Sequence, residues 1–387
     1  MNIVILAGGT GTRLWPMSRT KKPKQFYEIL SHRPMIQDTF SRFENHFPSE
    51  KIFISTTAFF ENEMRSIFPD LAQSNIIVEP EKRDTAPAMG YVAIRLFARQ
   101  PDEPMVFVPS DHFIGNAPRF LETLACAEQL ILQTGKMVDI GIAPSFPSTV
   151  LGYTHIGERS QHPSGVEVYR FYGHREKPPY SLAKEYLEDG HYLWHASYYM
   201  WTPRLFLDAY KKNAPAMYTH LLAIGEMFEH GTQLDSQRES IAKTYSAMEK
   251  ISFDYAITEK MNHEDVLIIK GDFGWSDIGA WDVLYDKIST QPCIARTSEI
   301  GTNYHDTRSQ SVAMDSLGNL FKGKCVMIDT SSSLIYGSKK KLIAAVGLSD
   351  MIVVDTDDAL LICPKGKAQM VKDVVLTLQQ QEISEFL

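Results

Sequence analysis

The feature that most narrows the fold is the passage from an apolar run into glycine at the start of the chain. Asn2 to Ala7 read as a short buried strand, because the apolar residues follow one another without interruption. Gly8, Gly9 and Gly11 come immediately after. A strand running straight into a glycine-rich turn offers bare backbone N–H groups, and these form a concave site for anions. Arg13, Lys21, Lys22 and Lys24 then follow within the same short stretch. The pattern points to a nucleoside triphosphate site, with Leu6, Gly8, Gly9 and Gly11 as its backbone cradle. It is not a P-loop, since no GxxxxGKS/T string occurs. It is not a dinucleotide fingerprint either, since Leu14 stands where the third glycine is needed.

The chain has 387 residues, 44% of them apolar and 22% charged, which suits one large α/β domain plus a smaller one. No apolar run reaches the length of a membrane span, and Met1 leads directly into a strand, so no signal peptide is expected. A net charge of −8 argues against a broad nucleic-acid surface. The four cysteines, Cys126, Cys293, Cys325 and Cys363, show no CxxC pair and read as reduced thiols of a cytoplasmic protein.

From Met1 to about Gly141 apolar strands alternate with amphipathic helices. Strands are expected at Ile3–Leu6, Ile52–Ser55, Ile76–Glu79, Met105–Pro109 and Met137–Ile142, and helices at 34–45, 60–68, 85–99 and 117–133. This alternation predicts an α/β fold with a mostly parallel sheet. Ligands of such sheets sit beyond the carboxyl ends of the strands. Two acidic segments lie there. Glu79 to Ala88 (EPEKRDTAPA) offers Asp84 or Thr85 as a helix cap and Pro87 for the first turn. Asp111, after the fourth strand, could cap the next turn or hold Mg²⁺. From Leu317 to Cys363 short apolar strands recur every eight to ten residues, which suggests a β-solenoid or small β-domain closed by a helix at 367–380. The boundary is expected near Gln291–Arg308, dividing the chain into domains 1–290 and 291–387.

The strings GGTGTRLWPMSR and PKQF resemble the signature of sugar-1-phosphate nucleotidylyltransferases, and PKQF resembles the mannose-1-phosphate guanylyltransferase branch. EPEKRDTAPA is similar to the segment of that branch that holds guanine, which would involve Glu81, Arg83, Thr85 and Ala86. PSDH aligns Asp111 with a metal-binding aspartate, and GWSDIGAW supplies Asp277 as its partner. Glu176-Lys177-Pro178 resembles the EKP motif, and LGYTHI, with Gly152 and Tyr153, a family TGYGYI segment. SFDYAITEK resembles SIDYAVMEK, with Asp254 able to cap its helix. The main departure is WHASYY, where the family has WNSG and its asparagine meets the sugar; His195 stands in that place. His191 and His195, four apart, would suit a metal on a helix, but no HExxH accompanies them and zinc is not expected.

The resemblance implies a Rossmann-like, GT-A-like catalytic domain with a C-terminal β-helix-like domain that resembles a dimerisation element. It implies GTP and mannose 1-phosphate as substrates, Mg²⁺ as cofactor and a homodimer through the C-terminal domain. Arg13 would hold the leaving pyrophosphate and Lys24 the α-phosphate and the attacking phosphate. Asp111 and Asp277 would hold Mg²⁺, and Glu176, Lys177 and Gly152 the sugar phosphate. No His–Asp or Cys–His arrangement is visible, which agrees with a nucleophile that needs no general base. Longer family members add a cupin-type isomerase domain, for which this chain has no room. A different hexose or heptose 1-phosphate is the first alternative, and a non-catalytic sugar-nucleotide sensor a distant second.

Overall fold

The computed structural model describes residues 1–9, 12–29, 31–162, 165–229, 235–290, 295–296, 304–307, 312–337 and 341–387. Most of the expected boundary stretch, 291–308, lies outside them, as does Gly11. The chain packs as two compact units that do not follow sequence order. One comprises Met1–Gly8, Phe40–Pro109 and Ile114–Trp275; the other comprises Gly9–Thr39, Ser110–Phe113 and Ser276–Leu387.

The first unit is built on a ten-stranded sheet. Its strands are β1 (Asn2–Leu6), β2 (Ile52–Thr57), β3 (Ile76–Glu79), β4 (Met105–Pro109), β5 (Met137–Ile142), β6 (Tyr153–Gln161), β7 (Glu167–Arg175), β8 (Tyr192–His195), β9 (Met200–Trp201) and β10 (Val266–Gly271). All five strands expected in the first half form. Their order is β10-β7-β6-β8-β5-β9-β4-β1-β2-β3, and β10 also pairs with β5. The pairs β1–β2, β1–β4, β2–β3 and β5–β10 are parallel. The strands of the middle third are antiparallel, as in β6–β7, β6–β8 and β5–β8. The sheet is therefore mixed, parallel among β1 to β4, where crossover helices separate the strands, and antiparallel through β5 to β8, where only the β6–β7 pair joins consecutive strands. β5, β8, β6, β7 and β10 return on themselves, so residues far apart in sequence share one end of this ring.

The helices follow their punctuation. Asn116 caps Ala117–Thr134 by accepting from the Arg119 N–H, and Gly135 ends it at φ +66°, where its N–H reaches the Ile131 carbonyl. Asp84 caps Thr85–Phe97, accepting from the Thr85 N–H. The first expected helix is shorter, Met35–Ser41, and gives way to turns.

In the second unit the C-terminal strands stack in parallel coils. Leu320 pairs with Leu334 and Leu334 with Ile352, and all three are fully buried. On another face Cys325 pairs with Ile343. Buried Asn319 links successive coils, donating to the Thr330 carbonyl at 2.7 Å and accepting from the Ser333 N–H at 3.1 Å. The chain closes with a short 3₁₀ turn, Lys365–Met370, and a helix, Val371–Gln380. The core of this unit joins the coils to the segment after the glycine turn. Leu14, Trp15 and Met17 pack in one cluster with Trp281, Leu320, Leu334 and Ile352. Trp281 donates its indole N–H to the Trp15 carbonyl at 3.0 Å, and Trp15 donates to the Phe386 carbonyl at 2.8 Å. The three described cysteines are free thiols, and burial pushes that of Cys325 up to about 12.

Candidate functional site

Four of the sequence-selected residues come together in the second unit. Lys24 is 2% exposed, on a short 3₁₀ turn, Lys24–Phe26. A buried ammonium needs partners, and Lys24 Nζ has two. It lies 3.0 Å from Asp111 Oδ2 and donates to the Asp277 carbonyl at 2.6 Å. Burial alone would raise the Asp111 carboxyl, but Lys24 and then His112 outweigh it and hold the group below the usual range. Arg13 stands 3.6 Å from Asp277 Oδ2. The two aspartates are brought into line by an isolated antiparallel bridge between Phe113 and Ser276. The rest of the PKQF string serves the same place, since Gln25 donates to the Gly9 carbonyl at 3.2 Å.

Gly279 has a steric reason. A Cβ there would overlap Asp277 Oδ2 and come within 2.9 Å of both terminal nitrogens of Arg13. Beside it Ile278 adopts φ +43°, which is unfavourable for a β-branched residue. Asp84, Lys177 and Ser197 share this left-handed backbone. Asp329, Ser332, Asp350 and Glu382, in the C-terminal coils and tail, share it as well.

In the first unit, the carboxyl end of β3 carries the EPEKRDTAPA segment. Glu81 and Arg83 pair with each other at 2.6 Å, and Arg83 also donates to the Met248 carbonyl. Thr85 Oγ1 accepts from the Phe253 N–H, the Ala86 N–H reaches the Ile251 carbonyl, and the Ala86 carbonyl accepts from Tyr210. Thr85 and Ala86 thus fasten this loop to the 248–253 segment. Sequence reasoning passed over Glu79 here, although an acid ending an apolar strand is a visible signal. Glu79 is 4% exposed, hydrogen-bonded by the Tyr245 hydroxyl, and 3.6 Å from where a Gly8 Cβ would stand. Burial raises its carboxyl to about 7, with Tyr245 opposing.

The ring of strands in the same unit gathers a second charged group. Gly152 lies just before β6, and Glu176 and Lys177 lie just after β7. A Cβ on Gly152 would fall 2.5 Å from Glu176 Oε2 and 2.7 Å from His174 Cε1, so glycine is what admits both side chains. Lys177 Nζ is 2.5 Å from Glu176 Oε1. Burial disfavours the Glu176 carboxylate, but His174 and Lys177 outweigh burial and keep it below its ordinary range. Tyr153 is fully buried, and its hydroxyl accepts from the Ser148 N–H at 2.8 Å, a packing role.

His195 is 4% exposed at the end of β8. Its Nδ1 lies 2.7 Å from Asp139 Oδ2 on β5, and its Nε2 lies 2.7 Å from the Tyr199 hydroxyl and 3.3 Å from Asp254 Oδ1. Burial would lower its pKa, yet Asp139 and Asp254 overcome this and hold it well above the ordinary value. The expectation that no His–Asp arrangement exists is corrected here. Asp139, His195 and Asp254 are far apart in sequence and meet only because β5 and β8 pair and Ser252–Ala256 packs nearby. Both ring nitrogens face partners within the protein, so the ring is not presented to a substrate as a general base. Two further expectations change. Asp254 does not cap its helix: Ser252 does, accepting from the Tyr255 N–H, which releases Asp254 toward His195, Tyr199 and His174. His191 lies just before β8, not on a helix, and pairs with Asp189 at 2.9 Å.

Comparison with known proteins bears on both groups. Residues 2–291 match the model of the nucleotidyl transferase family, and residues 323–378 match a MannoseP isomerase/GMP-like beta-helix domain. A putative mannose-1-phosphate guanylyltransferase of Vibrio cholerae is 31% identical over 99% of this chain and 75% of its own length. A mannose-1-phosphate guanylyltransferase of Klebsiella pneumoniae is 31% identical over the same shares. The alginate biosynthesis protein AlgA of Pseudomonas aeruginosa is 32% identical over 99% of this chain and 73% of its own. Among solved structures, a Thermus thermophilus protein described as a mannose-1-phosphate geranyltransferase matches with a TM-score of 0.76. It is 25% identical, over 98% of this chain and 99% of that one.

Proposed function

Because this chain belongs to the nucleotidyl transferase family, we propose that it transfers GMP from GTP to mannose 1-phosphate, giving GDP-mannose and pyrophosphate. The names of its full-length relatives support the substrates. The observation that carries the chemistry is Lys24, buried and bound at once to Asp111 and to the backbone of Asp277, with Arg13 beside them.

A sugar phosphate is largely dianionic at neutral pH, its second pKa being about 6. It can attack the α-phosphate without a general base, and the engagement of both His195 ring nitrogens within the protein agrees with that. Catalysis then rests on positioning and charge neutralisation. Gly8 and Gly9 offer backbone to the phosphates. Lys24 neutralises the α-phosphate and the incoming phosphate, and Arg13 takes the charge that builds on departing pyrophosphate. Asp111 and Asp277 form a hard, two-carboxylate donor set of the kind Mg²⁺ prefers when phosphate oxygens complete its shell. Mg²⁺ held by these two carboxylates would supply further charge neutralisation. Glu176 and Asp254 accept hydrogen bonds from the sugar hydroxyls, and Lys177 pairs with the sugar phosphate.

The test is pyrophosphate release with Mg²⁺, crossing GTP, ATP, UTP and dTTP with mannose 1-phosphate and glucose 1-phosphate. Release confined to GTP with mannose 1-phosphate supports the proposal; no release with any pair overturns it. The second reading, another hexose or heptose 1-phosphate, is favoured by His195, whose ring nitrogens are both engaged within the protein. Release with GTP and a different sugar would select it.

We also propose a cytoplasmic homodimer formed through the C-terminal coils. Ile328 and Val346 pair across two coils and are 45% and 63% exposed. A second copy of the chain would cover this apolar face. No described helix is long and apolar enough to cross a membrane.

A further inference from the structure

We propose that His174, Glu176 and Asp254 form a binding site for one divalent transition-metal ion of the Zn²⁺, Co²⁺ or Mn²⁺ class, separate from the Asp111–Asp277 pair. The three side chains each offer one ligand atom, and all three atoms lie within 4.8 Å of one another. His174 Nε2 is 3.6 Å from Glu176 Oε2 and 3.7 Å from Asp254 Oδ1. Bonds of about 2.1 Å in tetrahedral geometry put ligand atoms about 3.4 Å apart, close to the two His174 separations, while the Glu176 and Asp254 oxygens, within 4.8 Å of each other, would draw together around the ion. These separations are too long for hydrogen bonds.

The independent observation is the state of His174. Its side chain is fully buried, yet Nε2 has no hydrogen-bond partner. A buried imidazole nitrogen that stands within ion-pair distance of two carboxylates but makes a hydrogen bond to neither is costly unless a cation satisfies it. A cation resolves both the orphaned nitrogen and the mutual repulsion of Glu176 and Asp254.

The surroundings have the order expected around a metal. His174 Nδ1 is 3.4 Å from Thr154 Oγ1, a contact that orients the ring. Asp254 Oδ1 accepts from the Tyr199 hydroxyl and is 3.3 Å from His195 Nε2, so this oxygen is held in place by two neighbours. Asp139 in turn fixes His195. One nitrogen and two carboxylate oxygens make a borderline donor set, which favours Zn²⁺, Co²⁺ or Mn²⁺ over Mg²⁺. Three protein ligands also leave positions open, and hydroxyls of a bound sugar would be suitable fourth and fifth ligands. That last step alone rests on the sugar reading given above; the metal site does not.

The experiment uses full-length, tag-free, chelator-stripped protein without nucleotide or sugar. Zn²⁺ is titrated in competition with a chromophoric chelator, and Co²⁺ binding is followed by its visible absorption. One equivalent is expected in the wild type and in an Asp111→Asn, Asp277→Asn double variant. Affinity should fall by about 100-fold or more in His174→Ala and Glu176→Gln, and by roughly 10-fold in Tyr199→Phe. Against misfolded variants, Mn²⁺ bound to the wild type should show nitrogen coupling from one imidazole in pulsed electron paramagnetic resonance. Absence of that coupling, unchanged affinity in His174→Ala, or loss of binding in the Asp111–Asp277 double variant overturns the site. None of these outcomes depends on guanylyl transfer, so failure of one proposal leaves the other standing.

Discussion

Phe113 and Ser276 exchange backbone hydrogen bonds: the Phe113 N–H donates to the Ser276 carbonyl at 2.8 Å, and the Ser276 N–H returns to the Phe113 carbonyl at 3.1 Å. No strand surrounds this bridge. It sets Asp111, two residues before it, beside Asp277, one residue after it. Phe113→Pro removes one donor and should cost about 1–3 kcal/mol of stability by leaving the Ser276 carbonyl unpaired. Turnover should fall at least tenfold, with a raised Mg²⁺ requirement. Urea unfolding and pyrophosphate release across a Mg²⁺ series check this; unchanged Mg²⁺ dependence would show that the bridge does not set the aspartates.

Lys24 should be the least replaceable cation. Lys24→Met keeps the aliphatic stem and removes the charge that holds Asp111 below its ordinary range. A loss of about 10²–10³ in kcat is expected, by analogy with removing one preorganised donor. Saturating GTP should not restore it, since the charge acts on the transition state. Recovery at high GTP would mean that Lys24 only binds.

Gly279→Ala tests the packing of Arg13 on Asp277. The added methyl meets the mobile ends of both side chains, so stability should change by less than about 1 kcal/mol. Activity should nonetheless drop about tenfold or more as Arg13 is displaced. A variant with normal kinetics would remove Arg13 from the site.

Glu79 makes stability depend on pH in an unusual direction. Its carboxyl is raised from 4.5 to about 7 in the folded protein, chiefly by burial. The folded state therefore binds more protons than the unfolded state between these values, and stability falls as pH rises from about 4.5 through 7. Glu79→Gln should flatten that slope, measured as urea midpoints at pH 5, 6 and 7.5. An identical slope in the variant would assign the effect elsewhere.

Asp139→Asn strips a buried imidazolium of its nearest carboxylate. His195 and Asp139 have side chains 2% and 3% exposed, and breaking such a pair costs about 3–5 kcal/mol. Unfolding free energies of Asp139→Asn, His195→Asn and the double variant measure it. A double variant no less stable than either single one is expected, because the uncompensated charge then disappears.

The residues proposed to handle phosphate were legible because they sit in short local strings. Arg13 and Lys24 follow one glycine turn, and Asp111 and Asp277 each follow a strand in a recognisable motif. The β-coils were legible from even spacing, which reflects a repeated unit buried on one side. Asp254 was misjudged because Asp is a good cap, and only the structure shows that Ser252, two residues earlier, takes that role. His174 and Glu79 left faint signals, a histidine near the end of a mixed strand and an acid at the end of an apolar one. Nothing local says which other strand they will face.

The sequence by itself determined the class of sheet in the first half, the glycine turn, the position of each acidic motif after its strand, and the family. These depend on period, chain direction and residues in contact with their own neighbours. Tertiary structure alone decided that the signature loop packs with the C-terminal coils through Leu14, Trp15 and Trp281, and that β10 returns to β5. It alone set Asp139, His195 and Asp254 in one buried line. Those outcomes turn on which strands pair and on the burial of charge at that pairing. Both are long-range choices settled by the whole core together, so no segment of the chain records them.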